Sequence, residues 1–144
     1  MKATKNSKRN HQRGLTLFEL LVVLAILAFL ATLVAPRVVG YLGRAKTDIA
    51  RTQASNIASS LELYYLDYGR YPELSDGLTA LVEAPDAAER WLGPYLKEKS
   101  GLTDPWGRPF QYSVTESGDD FEVISLGRDG EEGGDGEDAD IRKI

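Results

Sequence analysis

The chain of 144 residues contains no cysteine and only one histidine, His11, near its N-terminus. No disulfide can therefore cross-link the fold. The position of the single histidine excludes histidine triads and histidine-ligated zinc or iron from the rest of the chain. The sequence also lacks the G-x-x-x-x-G-K pattern of a phosphate-binding loop. These absences are typical of a structural subunit and do not favour an enzyme.

Basic residues are scarce outside the first 14 positions. That N-terminal arm carries five Lys and Arg residues and no acid, whereas the remainder carries 12 basic and 22 acidic residues. A nucleic-acid partner requires a basic surface that neutralises phosphates. The acidic body of the chain therefore argues against nucleic-acid binding.

A long apolar run follows the arm, from Leu15 to Ala35, in which Thr16, Glu19 and Thr32 are the only polar residues. As a helix it is about 31 Å long, enough to cross the hydrocarbon core of a membrane. The basic arm predicts that the N-terminus stays in the cytoplasm. A secretory signal peptide or a plain membrane anchor would explain the run equally simply.

The carboxylate of Glu19 does not fit either simple explanation. A charged side chain inside the bilayer costs roughly 2.5–3.5 kcal/mol on insertion scales, so it requires a partner of opposite charge. The stretch "RGLTLFE", residues 13–19, resembles the cleavage site of type IV prepilins. This resemblance implies cleavage after Gly14, N-methylation of the new terminal residue Leu15, and pairing of Glu19 with the amino terminus of a neighbouring subunit.

The first mature residue in that family is usually phenylalanine, and leucine replaces it here. The family also commonly has a proline at mature position 22, which is Pro36 in this chain. The resemblance therefore assigns Glu19 and Pro36 to filament assembly.

Apolar residues continue at helical spacing beyond Pro36 and predict one helix from about residue 15 to residue 68. Gly69 is its predicted C-terminal stop. The residues of the predicted buried stripe are Val39, Leu42, Ile49, Ile57, Leu61, Tyr64 and Tyr68. The second half of this helix is amphipathic and must pack against the rest of the domain.

Shorter elements are predicted after residue 71. A short helix over 76–83 is expected, with Ser75 as its N-cap and Pro85 closing it. Alternating residues predict strands over 110–115 and 121–126, joined as a hairpin. The sequence "DPWG" predicts a type I turn in which Asp104 caps the backbone.

The segment from Gly127 to Ile141 is rich in glycine and acidic residues. Without a cation these acids repel each other and favour an open, solvated tail. Glycine can turn backbone carbonyls inward, so a calcium loop is also compatible with this composition. An EF-hand is disfavoured because Asp140 stands where that loop has glutamate, and only four residues follow it.

Four motifs distributed along the chain resemble the major pseudopilins of type II secretion systems, the general secretion pathway G family. They are "YGRYP" (68–72), "GPYL" (93–96), "DPWGRPFQY" (104–112) and "ISLGRDGEEGGDGEDADI" (124–141). The resemblance implies an α+β, pilin-like fold: a long N-terminal helix on a small antiparallel β-sheet, with a C-terminal loop around structural calcium. The implied ligands are Leu126 and Gly134, through their carbonyls, and Asp129, Asp135, Glu137 and Asp138.

The expected organisation is a cleaved leader (1–14), a transmembrane assembly helix (15–36) and a periplasmic globular domain (37–144). The resemblance implies a non-enzymatic inner-membrane protein that polymerises into a periplasmic pseudopilus and drives export of folded proteins. Its implied partners are other copies of itself, minor pseudopilins, the prepilin peptidase and the inner-membrane assembly platform. The alternative function is a type IV pilin for adhesion, motility or DNA uptake.

Overall fold

The computed structural model describes residues 16–85 and 91–144. The chain divides into two compact units, with the boundary between Val39 and Gly40. The predicted leader (1–14) and Leu15 lie outside the described residues.

The helix α1 extends from Leu17 to Tyr68 and contains Pro36, as the sequence pattern predicted. Its end is set by Gly69, which has a positive φ of 68°. The Gly69 amide donates a hydrogen bond to the Tyr65 carbonyl at 2.7 Å. Glycine is favoured here because this left-handed conformation is strained for residues with a Cβ.

The buried face of α1 differs partly from the predicted stripe. Ile57, Leu61 and Tyr64 are buried as expected, but Leu42 and Ile49 are exposed. In this part of the helix the buried positions are occupied by small residues, namely Gly43, Thr47, Ala50 and Ala54. The C-terminal tail approaches this face closely, and large side chains would keep it away. For residues 42–54 of α1, the spacing of the apolar residues therefore predicted the wrong buried face.

Three antiparallel strands form one sheet in the order β1-β2-β3. Strand β1 is Gln111–Val114, β2 is Phe121–Ser125 and β3 is Ile141–Lys143. The hairpin of β1 and β2 is confirmed, with Val114 opposite Phe121. Strand β3 was not predicted, because three residues after an acidic stretch are too short to show alternation. It pairs with β2 so that Ile141 lies opposite Ser125.

The core lies between the second half of α1 and the sheet. Its fully buried members include Ile57 and Leu61 from α1, Leu81 from the following segment and Val123 from β2. Burial of each such side chain contributes roughly 1.5–3 kcal/mol. The fold is therefore the predicted α+β arrangement of one long helix on a small antiparallel sheet.

Two 3-10 helices cover Gly77–Leu81 and Lys99–Leu102. The first replaces the longer helix predicted over 76–83, and the residue at its N-cap is Asp76, not Ser75. Gly77 has a positive φ of 56°, which interrupts right-handed helical geometry at the predicted first turn. The second 3-10 helix was not predicted.

Tyr95 connects the loop before the second 3-10 helix to α1. Its hydroxyl donates a hydrogen bond to the Asp67 carboxylate at 2.7 Å. Burial of the ring, with this hydrogen bond, raises the pKa of the Tyr95 hydroxyl above its ordinary value. Burial likewise raises the pKa of Tyr112, whose hydroxyl donates to the Pro72 carbonyl.

Candidate functional site

The N-terminal end of α1 presents Glu19 in its first turn. The backbone amide of Glu19 donates to the Thr16 hydroxyl at 3.2 Å, an arrangement that caps the start of a helix. A carboxylate in the first turn is also favoured by the helix dipole. Gly14 and Leu15, the predicted processing residues, lie outside the described residues, so the structure gives no contact between them and Glu19.

The apolar half of α1 is exposed throughout the residues that the structure describes. Every residue from Thr16 to Leu42 is exposed, including large side chains such as Phe29, which is 67% exposed. This helix is long and apolar enough to span a membrane. No ion pair of Glu19 exists among the described residues. Both the apolar surface and the carboxylate thus face outward, where lipid or another chain can meet them.

The acidic tail is the connection between β2 and β3, over residues 126–140. Its two ends are held together at Arg128. The Arg128 amide donates to the Glu137 carbonyl at 2.8 Å, and its guanidinium donates twice to the Asp138 carboxylate, both at 2.9 Å. These bonds raise the pKa of Arg128, and the paired geometry is the strongest form of an arginine–carboxylate contact. The tail is therefore a closed loop, in contrast to the solvated tail that the composition also allowed.

Four of the predicted calcium ligands lie in this loop without an ion pair. The Leu126 carbonyl accepts from the Gly130 amide at 3.1 Å, and the Asp135 carbonyl accepts from the Asp138 amide at 3.2 Å. The Asp129 carboxylate accepts from the Glu131 amide at 3.2 Å. Gly134 has a φ of 82°, and an added Cβ would overlap the Asp138 backbone. The loop is tightly wound at these positions, and only glycine fits at 134.

The other two predicted ligands, Glu137 and Asp138, are near the guanidinium of Arg128. Asp138 is bound by both of its oxygens, and Glu137 lies 3.9 Å from the same group. The Glu137 side chain also packs against Gly43 of α1. These two carboxylates therefore have partners in the chain itself, and a metal ion would have to compete with Arg128 for them.

Asp140 belongs to the same loop but is not one of the predicted ligands. One carboxylate oxygen, Oδ2, accepts from the Gly133 amide at 3.1 Å and from Arg142 at 3.0 Å. Asp140 is therefore hydrogen-bonded within the tail. The other oxygen, Oδ1, is buried and has no hydrogen-bond partner. A buried carboxylate oxygen without a partner is costly and is a suitable ligand for a hard cation.

The arrangement fits a cation held mainly by carbonyls. Within the part of the chain that the structure describes, no three acidic or histidine side chains converge as a metal cluster. Calcium also accepts backbone carbonyl oxygens in flexible loops, and glycine lets a backbone turn its carbonyls inward. Asp129 and Asp140, both hydrogen-bonded to the 131–133 segment, would supply negative charge to such a cation.

The turn at Asp104 supports the start of the loop. As predicted, the Asp104 carboxylate caps the "DPWG" turn, accepting from the Trp106 amide at 3.1 Å. The same oxygen accepts from the Arg108 amide at 2.9 Å. The second oxygen accepts from the Ser125 hydroxyl at 2.7 Å. Asp104 is 5% exposed and Ser125 is 1% exposed, so a buried carboxylate ties this turn to the end of β2.

The fold and the exposed N-terminal helix together define a membrane-anchored subunit of the pilin type. The family model for the type II secretion system protein G matches residues 37–144. The model for the prokaryotic N-terminal methylation motif matches residues 9–35. The chain therefore belongs to the protein G family of type II secretion systems, the major pseudopilins.

Similar proteins extend over nearly the whole chain. The type II secretion system core protein G of Xanthomonas campestris is 38% identical over 96% of this chain and 94% of its own length. That of Pseudomonas aeruginosa is 41% identical over 93% of this chain and 96% of its own length. The crystal structure of the major pseudopilin of enterohaemorrhagic Escherichia coli superposes with a TM-score of 0.55 at 28% identity. The superposition covers 72% of this chain and 90% of the Escherichia coli chain.

Proposed function

We propose that this chain polymerises through α1 into the pseudopilus of a type II secretion system and has no catalytic role. The observation that carries the proposal is the exposed apolar part of α1 from Leu17 to Ala35, in which Glu19 is the only charged residue. Helices of this kind associate by close packing and by pairing of polar groups. Growth of such a filament would drive folded proteins across the outer membrane.

The proposed precursor is cleaved after Gly14 by the prepilin peptidase and methylated on Leu15. The match to the N-terminal methylation motif supports this processing. The new amino terminus supplies the positive charge that Glu19 requires in a low dielectric. In this proposal the N-terminus lies on the cytoplasmic side of the inner membrane and residues 37–144 lie in the periplasm. Minor pseudopilins and the inner-membrane assembly platform are the further partners.

Two measurements test the filament proposal. The intact mass of the chain from a membrane that contains its peptidase should equal residues 15–144 plus one methyl group. Glu19→Gln should leave the globular domain folded and abolish most pseudopilus formation, measured by shearing and electron microscopy. A matched control is Thr32→Val, which removes an uncharged polar group from the same apolar run. Normal filaments from Glu19→Gln would refute the pairing role.

We also propose that the 126–140 loop holds a structural calcium ion. The buried, unpartnered Asp140 Oδ1 supports this proposal. Its ligands would be Asp129, Asp140 and the carbonyls of Leu126 and Gly134. Asp135 is a further candidate ligand, and Glu137 or Asp138 would join only after release from Arg128. The ion would offset the repulsion between the acids of the loop.

Calcium removal tests this second proposal. A chelator should lower the melting temperature of the purified protein and increase hydrogen exchange in the 126–140 loop. Asp129→Ala and Asp140→Ala should each abolish most of the calcium-dependent shift, whereas Glu132→Ala, a control in the same loop, should keep it. A melting temperature that does not respond to calcium would reject the site.

A further inference from the structure

Arg108 lies beneath the start of the acidic loop and contacts it at two points. Its Nη1 donates to the Gly127 carbonyl at 2.8 Å in a partly buried position. A Cβ placed on Gly130 would lie 2.6 Å from the Arg108 Nε. The guanidinium therefore lies against both ends of the 127–130 turn.

The backbone of Arg108 is fixed to the residue that precedes this loop. The Arg108 amide and the Ser125 hydroxyl bind opposite oxygens of the buried Asp104 carboxylate. The Arg108 carbonyl in turn accepts from the Asp104 amide at 2.8 Å. A closed ring of contacts thus runs from Ser125 through Asp104 and Arg108 to Gly127, and it encloses Leu126.

Arg108 and Arg128 differ in their binding partners. Arg128 forms ion pairs with Asp138 and Glu137 on the partly exposed side of the loop. Arg108 has no ion pair with any carboxylate in residues 16–85 and 91–144. Its guanidinium donates a hydrogen bond to the backbone carbonyl of Gly127. Its role is consequently to orient the backbone, since it neutralises no acid by direct contact.

We propose that Arg108 is a positioning residue for the calcium loop, and that it fixes the peptide plane at Gly127. With the Gly127 carbonyl directed to Arg108, the neighbouring Leu126 carbonyl and the Asp129 side chain are held in place for the cation. This inference rests on the calcium site proposed above. Residues that orient metal ligands commonly change metal affinity by 10–100-fold when they are replaced.

If Arg108 orients the backbone, two substitutions should change the calcium affinity differently than if Arg108 acts only through its charge. Arg108→Gln removes a positive charge close to the site, so a purely electrostatic role predicts tighter calcium binding. Arg108→Lys keeps the charge but loses the planar guanidinium, so the same role predicts no change. Orientation of the Gly127 carbonyl predicts that both variants bind calcium about tenfold more weakly.

The test uses the full chain in detergent micelles, titrated with calcium chloride in a calorimeter. The melting temperature of each variant in chelator is measured beside it. We expect both Arg108 variants to bind about tenfold more weakly, with melting temperatures in chelator close to that of the parent chain. Arg70→Gln is the matched control, because Arg70 is an exposed arginine outside the loop, and it should leave the affinity unchanged.

Ser125→Ala breaks the same ring at its other end and should weaken binding about threefold. This variant keeps the proposal testable if an Arg108 variant does not fold. Unchanged or tighter binding in Arg108→Gln, with normal binding by the parent chain, would overturn the positioning role alone. Absence of calcium binding by the parent chain would overturn the calcium site itself and this inference with it.

Discussion

The two halves of α1 have the same secondary structure and opposite surroundings. From Thr16 to Leu42 every residue is exposed, and large apolar side chains cover the surface. In the second half one face is buried, with Ile57 and Leu61 fully inaccessible. The first half thus obtains its stabilising contacts outside the chain, and the second half obtains them from the sheet.

This difference shows that a sequence can specify a helix without specifying which face of that helix is buried. An apolar run without glycine or proline from Leu15 to Ala35 is helical in lipid whatever its neighbours are, because the backbone must satisfy its own hydrogen bonds there. The buried face of the second half depends on which segments return to it. Substitutions on α1 should therefore affect domain stability in one half and assembly in the other.

The largest expected effect tests this comparison with one substitution made in both halves. Leu61→Ala should lower the free energy of unfolding by about 2–5 kcal/mol, because it leaves a cavity in the core. Leu27→Ala, at a residue 56% exposed, should leave the stability of the globular domain nearly unchanged. Thermal unfolding of the full chain in detergent micelles measures both. Equal losses would show that the two halves do not differ in this way.

A smaller effect is expected from two glycines one turn apart. An added Cβ at Gly40 meets no atom within 4 Å, whereas at Gly43 it would overlap the Glu137 carboxylate. Gly40→Ala should stabilise the helix by about 0.5–1 kcal/mol. Gly43→Ala should lose about 1 kcal/mol, because Glu137 has to move.

The double variant Gly43→Ala, Glu137→Ala provides the control for this prediction. It should recover the stability lost by Gly43→Ala, since the obstructing side chain is gone. If Gly43→Ala is as stabilising as Gly40→Ala, the tail does not pack on this turn of the helix. The packed part of α1 would then begin at a residue after Gly43.

The smallest effect concerns the end of the packed half, where Asp67 meets Tyr95. Tyr95→Phe should cost about 0.5 kcal/mol at neutral pH through loss of one exposed hydrogen bond. The raised pKa of Tyr95 means that its contribution is complete below pH about 10 and is lost as the pH rises through the folded-state value. Unfolding measured from pH 8 to 11 should show a shallower alkaline decline in Tyr95→Phe. The same decline in both proteins would contradict the prediction.

Much of the fold could be predicted because its signals are local. The helix end at Gly69, the turn at Asp104 and the hairpin of β1 and β2 follow from residue types and alternation. Strand β3 and the small buried residues of α1, such as Gly43 and Ala50, could not be predicted in this way. Both depend on the return of the tail to the helix and to β2, which is a contact between residues far apart in the sequence.

The candidate calcium loop shows the same limit. Composition allowed either a solvated tail or a cation loop, and resemblance indicated Asp129, but neither indicated that Arg128 would bind Asp138. The unpartnered oxygen of Asp140 is visible only in three dimensions, because its burial depends on how the loop closes. The sequence therefore located the loop but could not show which of its acids pair with an arginine.

The pairing of Ser125 with Ile141 makes the whole acidic segment the turn of a β-hairpin. Closing a turn of about 15 residues costs about 2 kcal/mol more in chain entropy than closing one of two residues. A strand of only three residues, Ile141–Lys143, forms few backbone hydrogen bonds that could offset this entropy cost. The last strand is consequently held in register by the fastening of its own turn, and conditions that open the turn should release the C-terminus from the sheet before the core unfolds.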